Sequence, residues 1–265
     1  MKVGVFDSGF GGLTVLRALL EEVPDADYVY LGDSARLPYG SKSARTVAHY
    51  AVSSARFLHQ QGIELLVIAC NTASAMALEQ IQEAVPVPVI GVIVPGAEAA
   101  KSVTKTGRVC VIATSATVSS HAYRDALASL GLMVQEKACP LLVPLVEEGW
   151  VEHRVTEQVA RIYLNEMMAD SGREWGDAAK PDTLVLGCTH YPLLKPLLQR
   201  VLPLPMKMVD SAEAIAKQVR LKVGSGSGMG CVEYFATDSL EKFKTLGERF
   251  LGREISSVSL VELPE

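Results

Sequence analysis

The sequence predicts an α/β fold made of two similar α/β domains with mainly parallel sheets, and an active site in the cleft between them. Short runs rich in Val and Ile lack polar alternation, which is typical of strands buried on both faces of a sheet. These runs alternate with longer segments of helical period, and that order is the βαβ pattern of parallel sheets. Two of the runs end in nearly the same way, which suggests two related halves that face each other.

The predicted strands and helices follow one another along most of the chain. Strands are predicted at 3–6, 28–31, 65–69, 87–92, 108–113 and 183–186. Helices are predicted at 13–22, 44–61, 74–83 and 119–131. Two further helix starts follow residue 207, one after Asp210 and one at Asp238, where Glu241 completes a capping-box pattern.

Two Pro-rich segments, at 85–89 and 202–205, are expected to be joints near domain boundaries. The first domain is expected to comprise residues 1–96 together with 208–265, and the second to comprise residues 97–207. The length of 265 residues suits one large domain or two small ones. The tail after 207, with its Gly-Ser segment at 224–230, is too short for a third domain, so we expect it to return to the first.

The composition argues against nucleic acid or a membrane as the main partner. The formal net charge is -5 and the basic residues do not cluster, whereas a nucleic-acid-binding surface needs a basic patch. No apolar run approaches the roughly 18 residues of a membrane helix. Because the acidic residue Asp7 precedes any long apolar run, the N-terminus predicts a first strand rather than a signal peptide, and hence a cytoplasmic protein.

The chain contains five cysteines, and two of them stand at the ends of predicted strands. They are Cys70, Cys110, Cys139, Cys188 and Cys231. The number is odd and no CxxC pair exists, which favours free thiols over disulfides. Cys110 lies inside an apolar strand and is predicted to be a core residue, whereas Cys139 and Cys231 lie outside any motif.

Cys70 and Cys188 share one sequence plan. In each case an apolar strand ends on a small residue, which is followed by the cysteine, short polar side chains and a helix-compatible segment. The segments at 6–9 and 112–115 repeat the plan without the cysteine. Ligands of open α/β sheets bind outside the carboxyl ends of the strands. These four strand ends are therefore expected to line one site, or two related sites, with one cysteine from each half.

Two thiols at such a site permit proton exchange at a carbon atom without a cofactor. The reference pKa of a thiol is about 8.5, so thiolate and thiol are both populated near neutral pH and can act as base and acid. Removing the Cα proton of an amino acid makes a carbanion, which many enzymes stabilise with pyridoxal phosphate. A base on one face and an acid on the other make that electron sink unnecessary, and no lysine stands in a recognisable Schiff-base context.

Simpler interpretations of the same residues stay open. A lone cysteine at a strand end is more often a small buried hydrophobe than a catalyst. The glycine-rich segment at 9–12 lacks the Gly-Lys-Ser/Thr of a nucleotide phosphate cradle, and its glycines are better suited to bringing backbone amides close to a carboxylate. Cys188 and His190 could begin a metal site, but no second ligand pair stands at a suitable spacing, so no metal is expected.

Four sequence motifs together resemble the glutamate racemases. They are Asp-Ser-Gly-Phe-Gly-Gly-Leu at 7–13, Tyr-Leu-Gly-Asp-Ser-Ala-Arg-Leu-Pro-Tyr-Gly at 30–40, Cys-Asn-Thr-Ala at 70–73 and Gly-Cys-Thr-His-Tyr-Pro at 187–192. The resemblance covers nearly the whole chain, with the motifs in matching order. It implies two similar α/β domains with the site between them, a homodimer, no cofactor, and supply of D-glutamate for cell-wall peptidoglycan.

The resemblance also implies roles for individual residues. Cys70 is expected to take the proton from D-glutamate and Cys188 to take it from L-glutamate, with assistance to the thiols from Asp7, His190 and Glu147. The implied substrate-binding residues are Asp7, Ser8, Asp33, Ser34, Pro38, Tyr39, Gly40, Asn71, Thr72, Thr114, Thr189 and His190. One departure is visible, because Ala116 stands where the family usually has Gly, and its Cβ could alter the local turn.

Three other functions are compatible with parts of this pattern. A related racemase could act on aspartate or another amino acid with the same two thiols, although the match at 30–40 favours glutamate. A non-catalytic amino-acid-binding module needs no pair of cysteines. A thiol hydrolase needs one Cys with a His base and an oxyanion hole, and would leave the second cysteine unexplained.

Overall fold

The computed structural model describes residues 1–176, 180–224 and 228–264, in which strands and helices alternate. The strands are β1 (Lys2–Asp7), β2 (Asp27–Gly32), β3 (Leu65–Ile68), β4 (Val89–Gly91), β5 (Arg108–Ala113), β6 (Met133–Ala138), β7 (Thr183–Gly187), β8 (Lys207–Asp210), β9 (Val232–Ala236) and β10 (Ser259–Leu260). The helices are α1 (Leu13–Glu22), α2 (Ala44–Gln60), α3 (Asn71–Met76), α4 (Leu78–Ala84), α5 (Ile93–Val103), α6 (Ser115–Ser120), α7 (Ala122–Ser129), α8 (Leu142–Glu147), α9 (Arg154–Trp175), α10 (Lys195–Val201), α11 (Ser211–Val223) and α12 (Leu240–Leu251).

The described strands form two separate sheets. The first has the order β10-β9-β2-β1-β3-β4, and the second has the order β6-β5-β7-β8. Every neighbouring pair in both sheets is parallel. The predicted fold class, two similar α/β units with mainly parallel sheets, is therefore confirmed.

The apolar runs of the first sheet form strands because helices cover both faces. Phe6 and Ile68 point to one face, where they pack in a cluster with α2. Val5 and Val67, one position away, point to the other face and pack in a cluster with α1. Successive side chains of a strand alternate between faces, so a strand buried on both sides needs an unbroken apolar run.

The chain crosses between the two sheets at two places. After β4 it enters α5, which packs on β7 and β8 of the second sheet, and after β8 it enters α11, which packs on α1. The predicted boundary at 96/97 therefore falls inside α5. The boundary at 207/208 falls inside β8, which hydrogen bonds to β7 hold in the second sheet. We propose a first domain of residues 1–92 and 211–264 and a second of residues 93–210.

The C-terminal part of the chain returns to the first sheet. Strand β9 pairs with β2 and β10 pairs with β9, while α12 packs on α1. The expected capping box does not form, because Ser239 is the N-cap of α12 and has a left-handed backbone, with φ of 54°. The Asp238 carboxylate instead accepts the Ser239 N–H. Of the predicted Gly-Ser segment, residues 225–227 lie outside the described residues, as does residue 265.

Several described elements of the second half have no counterpart among the predictions, and β6 and α9 are the longest strand and the longest helix among them. The edge strand β6 carries polar side chains, and α9, with 22 residues, has only a weak apolar stripe. The helix expected at 119–131 is instead two helices, α6 and α7, which meet at His121 with φ of 57°. No helix within the described residues combines the length and apolar character that crossing a membrane requires.

Candidate active site

The carboxyl ends of four parallel strands meet at one cavity between the two sheets. Ser8, Cys70, Thr114 and Cys188 come soon after β1, β3, β5 and β7, and all four line this cavity. Its volume is about 140 Å³. A single water needs only about 10–15 Å³ of such space, so the cavity has room for a small molecule. The expected cleft is present, with one cysteine from each sheet on its wall.

Cys70 ends strand β3 and caps helix α3. Its backbone is extended, and Sγ accepts the N–H of Ala73 at 3.4 Å while donating to Oγ of Ser8 at 3.3 Å. Burial is the main reason why the pKa of Cys70 is raised to about 12, and the negative charge of Asp7 adds to it. Cys70 is therefore a protonated thiol at neutral pH.

Cys188 stands next to a histidine rather than a hydroxyl. Its Sγ lies 3.8 Å from Nδ1 of His190, and Nε2 of the same ring lies 3.2 Å from Oε1 of Glu147. Burial lowers the pKa of His190, but the hydrogen bonds to Cys188 and Glu147 outweigh burial and raise it to about 10. Burial likewise raises the pKa of Glu147, yet His190 more than offsets it and the net pKa is lowered. The two side chains therefore form an ion pair beside the sulfur.

Packing holds His190 in this position. A Cβ on Gly11 would overlap the imidazole, so only glycine allows the segment before α1 to come this close. The ring of Phe250 packs edge-on against the imidazole, with centroids 5.0 Å apart. Nζ of Lys242 lies 3.7 Å from Oε2 of Glu147. Helix α12, which carries Lys242 and Phe250, thus supports the wall around Cys188.

Asp7 lies behind the cavity wall, at the end of β1, and does not line the cavity. Its Oδ2 accepts the N–H of Gly9 at 3.0 Å, while Oδ1 has no hydrogen-bond partner within the described part of the chain. Burial raises the pKa of Asp7, and the charge of His190 opposes that shift. The negative charge of Asp7 in turn contributes to the raised pKa of the Cys70 thiol.

Three threonine hydroxyls join the two sheets beside the cavity. Oγ1 of Thr72 lies 3.0 Å from Oγ1 of Thr114 and 3.1 Å from Oγ1 of Thr117, and the last two are 3.0 Å apart. Thr114 also caps α6 by accepting the N–H of Thr117. Ala116 is a buried residue within α6, where a Cβ fits ordinary helical geometry. The alanine therefore leaves the three hydroxyls in place.

The loop after β2 reaches the cavity with only its second half. Of the residues predicted in this loop, three line the cavity: Pro38, Tyr39 and Gly40. Asp33 does not line the cavity, because its carboxylate is engaged by the Tyr39 hydroxyl and by Nε of Arg36. Ser34 does not line it either, since its Oγ donates to the carbonyl of Asp238. These contacts hold the loop in place, and substrate binding by Asp33 and Ser34 stays a prediction.

The other predicted residues do line the cavity. They are Ser8, Asn71, Thr72, Thr114, Glu147, Cys188, Thr189, His190 and Cys70. Gly9 and Ser115, in the strand ends predicted at 6–9 and 112–115, line it too. Lining residues that sequence reasoning missed are Leu37, Ser41, Pro140, Val143 and Pro144. Helical spacing could have found two of them, because Val143 and Pro144 stand four and three positions before Glu147 and share its face of α8. No group of three potential metal ligands occurs within the described ranges.

Comparisons with known proteins give the family and the fold of this chain. The family model described as Asp/Glu/hydantoin racemase matches residues 4–219. The chain belongs to this racemase family. Within the family, a glutamate racemase of Koribacter versatilis is 50% identical to it, covering 98% of this chain and 97% of that protein. The resemblance that the four motifs carry is confirmed.

Solved structures of the racemase family have the same fold. A glutamate racemase of Bacillus anthracis is 37% identical, with a TM-score of 0.90 over 99% of this chain and 97% of that one. A glutamate racemase of Francisella tularensis, solved in complex with D-glutamate, is 34% identical, with a TM-score of 0.86 over 98% and 97% of the two chains.

Proposed function

We propose that this chain is a cofactor-independent glutamate racemase, which interconverts L- and D-glutamate by two-base proton transfer at the α-carbon. One observation carries the proposal: Cys70 and Cys188 come from different sheets and line the same cavity. The 50% identity to the Koribacter versatilis glutamate racemase supports glutamate as the substrate, as does the D-glutamate bound in the Francisella tularensis enzyme.

The reaction needs one thiolate and one thiol in each turnover. When L-glutamate is bound, the Cys188 thiolate takes the α-proton, so that a C–H bond breaks and an S–H bond forms. The Cys70 thiol then gives its proton to the opposite face of the same carbon. D-glutamate leaves behind a Cys188 thiol and a Cys70 thiolate, and proton exchange with water restores the starting state. From D-glutamate the two cysteines exchange roles.

The surroundings of the two thiols suit these starting states. Burial and the charge of Asp7 raise the pKa of Cys70 to about 12, which favours the thiol that L-glutamate requires as acid. The His190 imidazolium, held by Glu147, lies 3.8 Å from the Cys188 sulfur and stabilises negative charge on it. In this proposal only the two cysteines exchange protons with the α-carbon. Asp7, His190 and Glu147 act through their effect on the thiols.

Neutral donors around the cavity suit the carboxylates of glutamate. His190 is the one basic side chain among the described lining residues, so carboxylates would be bound mainly by hydroxyls, an amide and backbone N–H groups. We assign this role to Ser8, Asn71, Thr72, Thr114 and Thr189, with the loop from Pro38 to Gly40 closing the cavity.

Two parts of the proposal rest on the family resemblance alone. One is that the racemase supplies D-glutamate for peptidoglycan, and the other is that it forms a homodimer. Light scattering on the purified protein tests the second: a mass near twice the 28.5 kDa of the chain is expected, and a mass of one chain would contradict it.

The test of activity uses purified protein, L-glutamate and no added cofactor. Chiral chromatography should show D-glutamate approaching an equal mixture, and activity should survive exhaustive dialysis and carbonyl-trapping reagents. Aspartate, supplied in a parallel reaction, should racemise far more slowly. Faster turnover of aspartate would contradict the substrate assignment, and activity that pyridoxal phosphate restores after dialysis would contradict the two-thiol reading.

A further inference from the structure

The Asn71 side chain in the cavity wall has one satisfied polar atom and one unsatisfied one. Its Oδ1 accepts the hydroxyl hydrogen of Tyr123 at 2.7 Å, and the residue is 3% exposed. Its Nδ2 has no hydrogen-bond partner among residues 1–176, 180–224 and 228–264. A buried donor without a partner costs free energy, which an acceptor on a bound molecule would recover. The amide nitrogen of Asn71 is therefore available to a substrate oxygen.

Tyr123 reaches Asn71 from the opposite half of the molecule. Asn71 begins α3, directly after β3 of the first sheet, whereas Tyr123 lies on α7. The Tyr123 ring is fully buried in a cluster with Val111 and Val185 of the second sheet. The hydrogen bond from its hydroxyl to Asn71 therefore links the cavity wall of one sheet to the packing of the other.

The Tyr123 hydroxyl determines which end of the Asn71 amide is paired and which end is left without a partner. A tyrosine hydroxyl has one hydrogen to donate and also accepts hydrogen bonds. Burial raises the pKa of Tyr123, and Ser211, the first residue of α11, opposes that rise, which indicates a polar group near the tyrosine oxygen. The tyrosine hydrogen is engaged by Oδ1 of Asn71, so the NH₂ group of the amide is left without a partner. Without the hydroxyl the amide is free to turn, and it can present an oxygen that repels a carboxylate.

We propose that Tyr123 is a positioning residue for substrate recognition: its hydroxyl fixes the Asn71 amide so that Nδ2 donates to a carboxylate of the bound amino acid. The inference rests on the proposed racemase function. It adds a specificity element outside the cavity, because Tyr123 itself does not line the cavity. Ser211 supports the same orientation from the start of α11.

The test is Y123F in the full-length protein. The substitution removes one oxygen and keeps the ring that packs on the second sheet. We expect KM to rise about tenfold for both enantiomers, with kcat changed by less than about threefold, because a carboxylate contact is made equally in the ground state and the transition state. The glutamate concentration that gives half-maximal thermal stabilisation should rise by the same factor, which is a readout independent of turnover.

Tyr28 provides the matched control. It is also fully buried, and its hydroxyl donates to the carbonyl of Val23 at 2.7 Å, away from the cavity. Y28F should lower the melting temperature and leave KM unchanged. In the N71A background, Y123F should raise KM no further, since the amide it orients is gone. S211A should also raise KM, by a smaller factor than Y123F. If Y123F does not fold, the KM of S211A tests the inference in its place.

The outcomes separate the inference from the function on which it rests. If the wild-type protein does not racemise glutamate, the proposed function fails and the inference fails with it. If the wild type is active and folded Y123F has the wild-type KM, the inference alone is overturned. It is also overturned if Y28F raises KM as much as Y123F, or if Y123F does not fold and S211A has the wild-type KM.

Discussion

Nδ1 of His190 lies 3.8 Å from the sulfur of Cys188, whereas the sulfur of Cys70 donates a hydrogen bond to the neutral hydroxyl of Ser8. The charged side chain that acts on Cys70 is instead Asp7, whose negative charge adds to burial in raising the pKa of the thiol. The two thiols on the cavity wall are therefore equivalent in sequence plan and opposite in electrostatic surroundings. The negative group near Cys70 suits a thiol there, whereas a positive group lies beside the sulfur of Cys188.

Replacing either cysteine by serine should abolish racemisation and leave a one-sided partial reaction. C70S and C188S should each racemise glutamate at least about 100-fold more slowly, because general acid–base groups contribute roughly that much or more. Loss of chloride from the β-carbon of a glutamate analogue needs only one base. C70S should therefore process only the L-analogue, and C188S only the D-analogue, as followed by chloride release.

Cys110 is the control for these variants. It is buried within β5 and does not line the cavity, so C110S should keep near-normal racemisation. The same enantiomer preference in C70S and C188S, or near-normal racemisation in either, would rule out the two-thiol mechanism.

Iodoacetamide should label Cys188 before Cys70. The two residues are almost equally exposed, at 6% and 5%, so access does not separate them. With a pKa of about 12, Cys70 is thiolate at pH 7.5 only to the order of 10⁻⁵ to 10⁻⁴, and the thiolate is the reactive form. Mass spectrometry of C231S protein, in which the exposed Cys231 no longer competes, should show Cys188 modified at least about tenfold faster.

Glutamate should protect Cys188 from this reagent, because both occupy the cavity. Modification of Cys70 first would contradict the electrostatic assignment. Inactivation that tracks modification of Cys110 or Cys139 would place the reactive thiol outside the cavity altogether.

The ion pair of His190 and Glu147 should stabilise the fold in a limited pH window. The pKa of Glu147 is lowered on folding, so its contribution is present above its ordinary value of 4.5 and is lost as the pH falls. The pKa of His190 is raised from 6.5 to about 10, so its contribution is complete below pH 6.5 and is lost as the pH rises toward 10. The Tm difference between wild type and E147Q should be largest between about pH 5 and 6.5.

Glu157 offers a control for this measurement. It forms an exposed pair with Arg161 on α9, and surface pairs contribute little to stability. E157Q should show a small and nearly constant Tm difference across the same pH range. A difference for E147Q that is equally flat would mean that His190 and Glu147 are not charged together in the folded protein.

The strand ends of the site could be predicted from the sequence because their signals are local. An unbroken apolar run followed by a small residue and Cys70 or Cys188 marks both the strand and the point where it ends. Parallel strands place such ends on one side of their own sheet, and the shared sequence plan predicted two related halves that face each other, so the two cysteines were expected to meet at one site.

Other parts of the site depend on packing between distant segments. Phe250 and Lys242 reach the cavity wall only because α12 returns to α1, and no motif marks either residue. Asp33 lies within a motif, yet its carboxylate bonds to Arg36 and Tyr39 and the residue does not line the cavity, which the motif alone does not indicate. Tyr123 likewise acquires a partner in Asn71 only when the two sheets come together.

The most direct test of the two-thiol account follows hydrogen at the α-carbon during the first turnovers in D₂O. L-glutamate is incubated with the protein without cofactor, and mass spectrometry after chiral separation follows deuterium in each enantiomer. Because Cys188 removes the proton and Cys70 donates a different one, the D-glutamate formed early should carry deuterium at Cα while the remaining L-glutamate still carries protium. If early D-glutamate keeps the original proton, or if L-glutamate takes up deuterium as fast as D-glutamate appears, one base serves both faces and the account is contradicted.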